Sequence, residues 1–393
     1  MAGIPSNNIN LLSAAFGLMI IFIGCSSQEG SNTVNGFIFD ATSLDESDVD
    51  QTIDLGVRVD GMLNSSISVT YEMKDNTAKA GTDYVKSGGT IVFSPGSEQA
   101  NLPLQLIGDT AFELPEDFDI LLTYEGQVIT YEIAIVDNDT IPAALEDQDG
   151  FYTPAEYVSM TKVWSDEFDG TALDMNNWTY ELGDGCDAGL CGWGNNELEN
   201  YTSDATNLSL ANGMMTITAT EQGGVFNSAR IITKGKHEFT FGRIDIRAKL
   251  PEGQGIWPAI WMLGANIDQV GWPASGEIDI MELIGNLPST VHGTVHYDDG
   301  GYKTTTGASS LDFQKFSDKF HVFSIVWTKD KITWYVDNKS YKSFSRSDNG
   351  GYPFNSPFFF IMNVAVGGNW PGSPDSTTVF PQKMIVDYVR VFQ

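Results

Sequence analysis

Alternating apolar and polar positions run through most of the chain, and sustained helical periodicity is hard to find. Short runs rich in Val, Ile, Phe and Tyr lie between turn residues, as in Lys331–Val336, which Asp337 and Asn338 follow. Successive side chains of a strand point to opposite faces, so this pattern predicts strands. Many short strands separated by turns are typical of sandwiches and barrels, and the chain is therefore predicted to be all-β.

One apolar run, residues 275–284, carries an unusual number of acids. Its three carboxylates are Glu277, Asp279 and Glu282. In a regular strand Ile278 and Ile280 would face a core and the first two acids would share the other face, whereas Glu282 would point into the core. A β-bulge with Met281 as the extra residue would return Glu282 to the carboxylate face. The pattern therefore predicts three acids on one surface.

Acids held this close repel one another, which raises the pKa of at least one of them. A pair of carboxylates is also what hydrolysis of a glycosidic bond needs. The alternative is an edge strand with solvated acids. Aromatic side chains near the run favour the sugar hypothesis, because aromatic faces pack on the apolar faces of sugars, although any one of them alone could be a core residue. They are Trp257, Trp261 and Trp272, with His296 nearby.

Length and charge narrow the class of protein. The chain has 393 residues, which suggests about two domains. Its formal net charge is −31. Nucleic acid is excluded as a partner because it requires basic contacts, and heavily sulfated polysaccharides are disfavoured for the same reason. A neutral glycan remains compatible with this charge, which otherwise serves solubility.

The N-terminus has the pattern of an export signal. The apolar run from Leu11 to Ile23 is too short to span a bilayer but suits a signal peptide, assigned here to residues 1–24. The run ends in Phe-Ile-Gly-Cys, which resembles a bacterial lipobox, with Cys25 as the lipidated residue. The chain is therefore expected to be an exported lipoprotein at the outer membrane or cell surface, with plain secretion as the alternative.

The other two cysteines, Cys186 and Cys191, lie in one glycine-rich loop. Outside the cytoplasm we expect a local disulfide between them rather than two free thiols. With four His and three Cys in the whole chain, no zinc-type cluster is expected.

Residues 38–140, preceded by a linker at 25–37, form a first predicted domain. The segments that carry it are Val69-Thr-Tyr, Gly81-Thr-Asp-Tyr, Ile91-Val-Phe-Ser-Pro-Gly, Glu113-Leu-Pro-Glu-Asp-Phe and Ile135-Val-Asp-Asn-Asp. In this order they resemble a Calx-beta domain, which implies a small β-sandwich. The resemblance implies that acidic loops bind Ca²⁺, and an unoccupied spacer is the alternative. The candidate ligands are Glu113, Glu116, Asp137 and Asp139.

Residues 159–393, after a second linker at 141–158, form the second predicted domain. Its motifs are Trp164-Ser-Asp-Glu-Phe-Asp-Gly, Gly192-Trp-Gly-Asn-Asn-Glu-Leu, the acidic run with its extra residue, Ala365-Val-Gly-Gly-Asn-Trp-Pro and Val386-Asp-Tyr-Val-Arg-Val. Together they resemble the laminarinase branch of glycoside hydrolase family 16, endo-β-1,3-glucanases. The resemblance implies a concanavalin-like β-jelly roll, a retaining mechanism without a catalytic cofactor, and a monomer acting on neutral β-glucan.

The resemblance also assigns roles to residues. Glu277 becomes the nucleophile, Asp279 its helper and Glu282 the acid/base. Trp193, Asn195 and Arg230 join the four aromatic residues above as groove lining. A structural Ca²⁺ on the convex side would be held by Glu167, Gly213 and Asp387, with backbone carbonyls contributing alongside a carboxylate. Two other functions stay open: another polysaccharidase of the family (a mixed-linkage glucanase, agarase or carrageenase) and a non-catalytic glucan-binding surface protein.

The lipid anchor can be tested directly. We expect Cys25→Ala to move the protein from the membrane fraction to the soluble exported fraction, because the variant lacks the thiol that carries the lipid. Fractionation followed by immunoblotting measures the change. Unaltered membrane association of the variant would contradict the anchor.

Overall fold

The computed structural model describes residues 32–157, 159–346 and 352–393. The predicted signal peptide at 1–24 and Cys25 lie outside these residues. The chain divides into two compact units, residues 1–140 and 141–393. In the described part of the chain, no helix has the length and apolarity needed to cross a membrane.

The first unit is a sandwich of two sheets with one apolar core. The three-stranded sheet has the order β1-β3-β6 and the five-stranded sheet the order β2-β8-β7-β4-β5. Both supply fully buried side chains, such as Val57 and Leu102 from one and Val69 and Phe118 from the other. The strands are β1 (Thr33–Phe39), β2 (Ser43–Asp45), β3 (Gln51–Met62), β4 (Ile67–Asp75), β5 (Gly88–Phe93), β6 (Gln99–Leu106), β7 (Glu116–Tyr124) and β8 (Gln127–Val136).

The second unit contains a ten-stranded and a seven-stranded sheet. Its first strands are β9 (Leu145–Glu146), β10 (Phe151–Tyr152), β11 (Lys162–Asp166), β12 (Thr179–Glu181), β13 (Glu199–Tyr201), β14 (Leu208–Ala211), β15 (Met214–Gln222), β16 (Val225–Ser228), β17 (Arg230–Ile232) and β18 (Gly242–Lys249). They are followed by β19 (Ile256–Gly264), α1 (Ile267–Val270), β20 (Glu277–Glu282), β21 (Thr290–Asp298), β22 (Tyr302–Ser310), β23 (His321–Trp327), β24 (Lys331–Val336), β25 (Lys339–Ser345), β26 (Phe358–Val366) and β27 (Gln382–Phe392).

The order of strands places β20 inside a sheet rather than at its edge. The seven-stranded sheet runs β12-β17-β26-β19-β20-β21-β22, and the larger sheet runs β13-β16-β15-β27-β18-β23-β24-β25 with β11 and β14 attached. Fully buried residues of both, including Ile278 of β20 and Ile244 of β18, form one core. The all-β prediction is confirmed, and an edge strand with solvated acids is wrong for residues 277–282.

The predicted linkers are shorter than expected. Thr33–Phe39 already forms β1, so the first predicted linker, 25–37, overlaps a strand. The second, 141–158, belongs to the second unit. There the Arg247 guanidinium donates to the Phe151 carbonyl, and the Thr153 amide donates to the Tyr388 hydroxyl at 2.9 Å. The Asp and Pro composition indicated a linker, whereas these buried partners make the segment part of the fold.

Chains shortened at two positions test this correction. A chain that begins at residue 141 keeps the contacts of the segment, including the 2.8 Å bond from the Tyr157 hydroxyl to buried Asp245, and a chain that begins at 159 loses them. Each lost buried hydrogen bond costs about 1 kcal/mol. We therefore expect the shorter chain to melt at least about 5 °C lower. Equal melting temperatures by calorimetry would restore the linker hypothesis.

Candidate active site

The bulge that the acidic run requires is present in β20. Across the ladder to β19, Asp279 pairs with Trp261 and Glu282 pairs with Ala259. Three steps along β20 therefore match two steps along β19. The ladder to β21 shows the same mismatch, because Asp279 pairs with Thr294 and Glu282 with His292. The extra residue returns Glu282 to the face that carries the other two acids.

The identity of the extra residue differs from the prediction. Met281 pairs with Ile260 of β19, and it is Ile280 that has no partner in that ladder. Ile278, Ile280 and Met281 are all buried in the core. The alternation of apolar and acidic residues indicated that a bulge was needed, but it did not distinguish two adjacent apolar residues that both pack inward.

Directly opposed residues of antiparallel strands share a face, so the register defines rows of side chains across the sheet. One row contains Arg230, Asn363, Ala259, Glu282 and His292, from β17 to β21. A second contains Ile361, Trp261, Asp279 and Thr294. A third contains Leu263, Glu277 and His296. We call this side of the seven-stranded sheet the active-site face.

Nitrogen donors contact each outer acid of the run. Trp257 donates its Nε1 hydrogen to Glu282 at 3.0 Å, and Trp272 donates to Glu277 at 2.9 Å. His296 lies on the same side, with Nε2 at 3.2 Å from Asp279 Oδ2 and 3.6 Å from Glu277 Oε1. Three of the four predicted aromatic neighbours, Trp257, Trp272 and His296, therefore lie against the carboxylates themselves.

Burial governs the protonation of all three acids. It is the largest cause that raises the pKa of Glu282 to about 8, with the charge of Asp279 adding to it. Burial likewise raises the pKa of Asp279 to about 8, against hydrogen bonding to Glu277 and the charge of Lys342. The pKa of Glu277 lies well above its ordinary value, first from burial and then from Asp279. A proton on Glu282 at neutral pH is what a general acid needs.

The other predicted groove residues form a second group on this face. The Arg230 guanidinium lies 4.3 Å from the ring centroid of Trp193 and 5.0 Å from that of Trp261, and Glu181 binds its Nε. Trp261 also donates to the Asn363 side chain at 2.8 Å. The ladder brings Trp261 beside Asp279, so this group continues the surface that begins at the acids.

Asn195 is held by its own segment. Its side-chain amide donates to Glu197 at 3.0 Å, and its carbonyl accepts from the Asn369 amide at 2.8 Å. The structure thus places Asn195 against the 369 loop and does not bring it to the acids. Its role in binding substrate stays a prediction.

Sequence reasoning missed three residues of this face, Trp370, His292 and Tyr302. Trp370 packs edge-on against Trp257 at 5.6 Å and against His292 at 5.1 Å, and the Tyr302 hydroxyl is hydrogen-bonded to Nδ1 of His296 at 2.7 Å. Trp370 lies within a motif that was recognised, so its half-exposed ring could have been proposed. Nothing in the sequence near Tyr302 links it to His296.

Comparison with known protein families identifies the family of this chain. Residues 191–390 match the model of glycosyl hydrolases family 16, which is half of the chain. The chain belongs to glycosyl hydrolases family 16. The recognition made from its motifs is therefore confirmed. Residues 31–139 match the Calx-beta domain, which confirms the second resemblance.

Relatives in the family include characterised glucanases. A glucan endo-1,3-beta-glucosidase A1 of Niallia circulans is 40% identical over 271 residues, which are 62% of this chain but 39% of that protein. A beta-glucanase of Rhodothermus marinus is 41% identical over 247 residues, covering 59% of this chain and 84% of that protein. The first relative is thus much longer than the part this chain matches.

A solved structure confirms the fold of the second unit. The laminarinase catalytic domain of Thermotoga maritima superimposes with a TM-score of 0.56 at 46% identity, covering 60% of this chain and 98% of that domain. The predicted β-jelly roll is therefore confirmed.

The predicted convex-side calcium ligands have other partners. Both carboxylate oxygens of Glu167 accept from Arg390, at 2.9 and 2.8 Å, and Asp387 accepts from Arg247 at 2.6 Å. A Cβ on Gly213 would lie 3.9 Å from the Glu167 carbonyl, so these two are neighbours. The arginine contacts are side-chain contacts, whereas the prediction has backbone carbonyls contributing alongside a carboxylate, so the convex-side calcium site stays a prediction.

The first unit holds a tighter acidic group. One carboxylate oxygen each of Asp83, Glu113 and Glu116 lie within 4.8 Å of one another. Predicted Asp137 accepts from the amides of Glu113 and Asp139 at 2.7 Å, so it orders the loop beside this group. Asp83 was not predicted, although it lies in the Gly-Thr-Asp-Tyr motif that was recognised.

The two loop cysteines are joined. Cys186 and Cys191 form a disulfide in the structure, which confirms the predicted pairing. It closes the turn that precedes Trp193, which packs on Arg230. The disulfide therefore lies in the segment that delivers this ring to the active-site face.

Proposed function

We propose that this protein is a retaining endo-glycoside hydrolase that cleaves β-1,3-glucan of the laminarin type. The observation that carries the proposal is the bulge in β20, which aligns Glu277, Asp279 and Glu282 on one face between Trp257 and Trp272. The glucanase relatives and the laminarinase structure support β-1,3-glucan as substrate.

The first chemical step uses the two outer acids. Ionised Glu277 attacks the anomeric carbon, while protonated Glu282 donates its proton to the leaving oxygen. The surroundings of the two acids suit these roles. The Trp272 N–H and the neighbouring His296 favour negative charge on Glu277 against the effect of burial, and burial keeps the proton on Glu282. After burial, the charge of Asp279 is the largest cause of the raised pKa of Glu277. Negative charge is therefore shared between these two carboxyl groups.

The second step reverses the role of Glu282. Once Glu277 is esterified by the sugar, its negative charge is lost and the pKa of Glu282 falls. Glu282 then takes a proton from the attacking water, and the anomeric carbon inverts a second time. The product keeps the β configuration of the substrate.

The alternatives differ in what they release. A mixed-linkage glucanase, agarase or carrageenase would release more reducing sugar from its own polymer than from laminarin, and a non-catalytic glucan-binding protein would release none. Sizing the products of a laminarin digest distinguishes these and also separates internal from terminal cleavage. Absence of hydrolysis of laminarin by the folded protein would refute the proposal.

Variants of the two outer acids should give opposite anomers with azide and an activated β-glucoside. In Glu277→Ala, azide enters the space of the nucleophile and inverts once, which gives the α-azide. In Glu282→Ala, Glu277 is still glycosylated by the activated donor, and azide replaces water to give the β-azide. On laminarin, Glu282→Ala should lose about 10²- to 10⁴-fold in kcat.

Nuclear magnetic resonance of the azide products identifies the anomers. Asp298→Asn, an exposed acid on neighbouring β21, is the matched control and should retain normal kcat. An α-azide from Glu282→Ala would mean an inverting enzyme and would overturn the assigned roles.

We also propose that the first unit binds Ca²⁺ through Asp83, Glu113 and Glu116. Carboxylate oxygens are the ligands that this ion prefers. Burial, followed by the charge of Asp83, raises the pKa of Glu113 to about 7. Oε2 of Glu116 is buried without a hydrogen-bond partner among the described residues. A divalent cation would satisfy this oxygen and remove the mutual repulsion.

Calcium should therefore stabilise the first unit and displace protons as it binds. Because burial raises the pKa of Glu116 well above the ordinary value, we expect Glu116→Gln to change the melting temperature little in chelator but to abolish the rise with Ca²⁺. Calorimetry measures both effects, with exposed Asp60→Asn as control. A calcium response unchanged in Glu116→Gln would contradict this site.

A further inference from the structure

A lysine lies buried behind the catalytic acids, in the space between the two sheets. Lys342 is on β25 and only 8% exposed. Its Nζ has no hydrogen-bond partner among the described residues. An isolated buried ammonium is strongly unfavourable, so its presence calls for a compensating interaction.

The compensation comes from Trp334 and leads to β20. The Lys342 Nζ lies 4.1 Å from the ring centroid of Trp334, where the negative face of the indole stabilises a cation. Trp334 donates its Nε1 hydrogen to the carbonyl of Asp279 at 2.8 Å. A cation on the ring draws electron density from the indole, which makes its N–H a stronger donor. Lys342, Trp334 and Asp279 thus form one continuous chain of contacts.

Two paired glycines make room for this chain. Gly293 of β21 pairs with Gly307 of β22. A Cβ on Gly307 would lie 2.7 Å from the Cβ of Lys342, and a Cβ on Gly293 would lie 2.4 Å from Trp334 Cδ1. Gly293 is also the residue between the partners of Asp279 and Glu282, opposite the bulge. The backbone at the bulge is therefore fitted to the lysine and the indole beneath it.

The charges around Lys342 are those of the active site. Burial lowers the pKa of Lys342 to about 8, and the carboxylate of Asp279 acts against this. On β25 itself, burial raises the pKa of Tyr341, with Asp279 and Glu282 adding to it. Lys342 remains largely charged at neutral pH. The other titratable groups grouped around Asp279 are Glu277, Glu282, His292 and His296.

We propose that Lys342 is a positioning residue that supplies positive charge to the catalytic acids from the core and fixes Asp279 through Trp334. The inference rests on the proposed hydrolytic function, since it concerns the same acids. Lys342 does not touch substrate. It acts by favouring negative charge on Asp279, which is hydrogen-bonded to the nucleophile Glu277.

Replacing Lys342 by methionine removes the charge and keeps an unbranched side chain. The sign follows from the cation: Lys342 lowers the pKa of Asp279, so its loss raises that pKa. The acidic limb of kcat/KM should move up by about one pH unit. Below that limb kcat/KM should fall about tenfold, because the coupled pair of Asp279 and Glu277 carries less negative charge. KM at the pH optimum should not change.

Lys339→Met is the matched control, because Lys339 is an exposed lysine of the same strand and its loss changes the net charge equally. The control should keep the wild-type pH profile. We expect Lys342→Met to fold, since replacing a buried unpaired charge with an apolar side chain does not weaken a core. If it does not fold, Lys342→Gln serves the same test.

A second readout does not depend on hydrolysis. Carbon-13 resonances of the carboxyl groups, followed against pH, should show Asp279 titrating about one unit higher in Lys342→Met than in wild type. Identical titration and an identical pH profile in the folded variant would overturn the proposal. If the wild type fails to cleave laminarin while the Asp279 carboxyl still titrates higher in Lys342→Met than in wild type, only the proposed function is refuted.

Discussion

The extra residue in β20 is the constraint on which the catalytic unit depends. A regular strand would point Glu282 into the core, where an unpaired carboxylate is not tolerated. The bulge turns it to the face of Glu277 and Asp279 while Ile278, Ile280 and Met281 all remain buried. Both neighbouring ladders accommodate the same extra residue, β21 with Gly293 opposite it. The chemistry and the apolar core are thus satisfied by one local irregularity.

The three active-site acids are largely buried, so their negative charge needs stabilising contacts from several sides. From the solvent side, Trp257 and Trp272 donate N–H groups to the outer carboxylates, and Nε2 of His296 lies 3.2 Å from Asp279. From the core side, Trp334 binds the Asp279 carbonyl and carries Lys342 on its ring. The raised pKa values remain, because burial outweighs these contacts. An acid that stays protonated near neutrality and a stabilised nucleophile are consequences of the same environment.

Each unit brings several carboxylates close together, and different groups offset their repulsion in the two units. In the second unit the aromatic donors and a buried lysine offset the acids. In the first unit Asp83, Glu113 and Glu116 lie together, and burial with mutual repulsion raises the pKa of Glu113 and Glu116. A cation is the natural counterpart for this group. In each unit the acids lie on a well-packed sandwich. The packing limits how far the carboxylate groups can move apart.

The sequence by itself determined what depends on local pattern and on ordered motifs. Alternation predicted the strands, the phase of Glu282 predicted a bulge, and the motifs predicted the family and the jelly roll. Only the tertiary structure decided contacts between residues far apart in the chain. Lys342 lies under Asp279, Tyr302 bonds His296 and residues 141–157 pack on the second unit because strand order and register brought them together. Composition carries no record of such pairings, since a lysine in a strand or an Asp-rich segment reads as solvated until its neighbours are known.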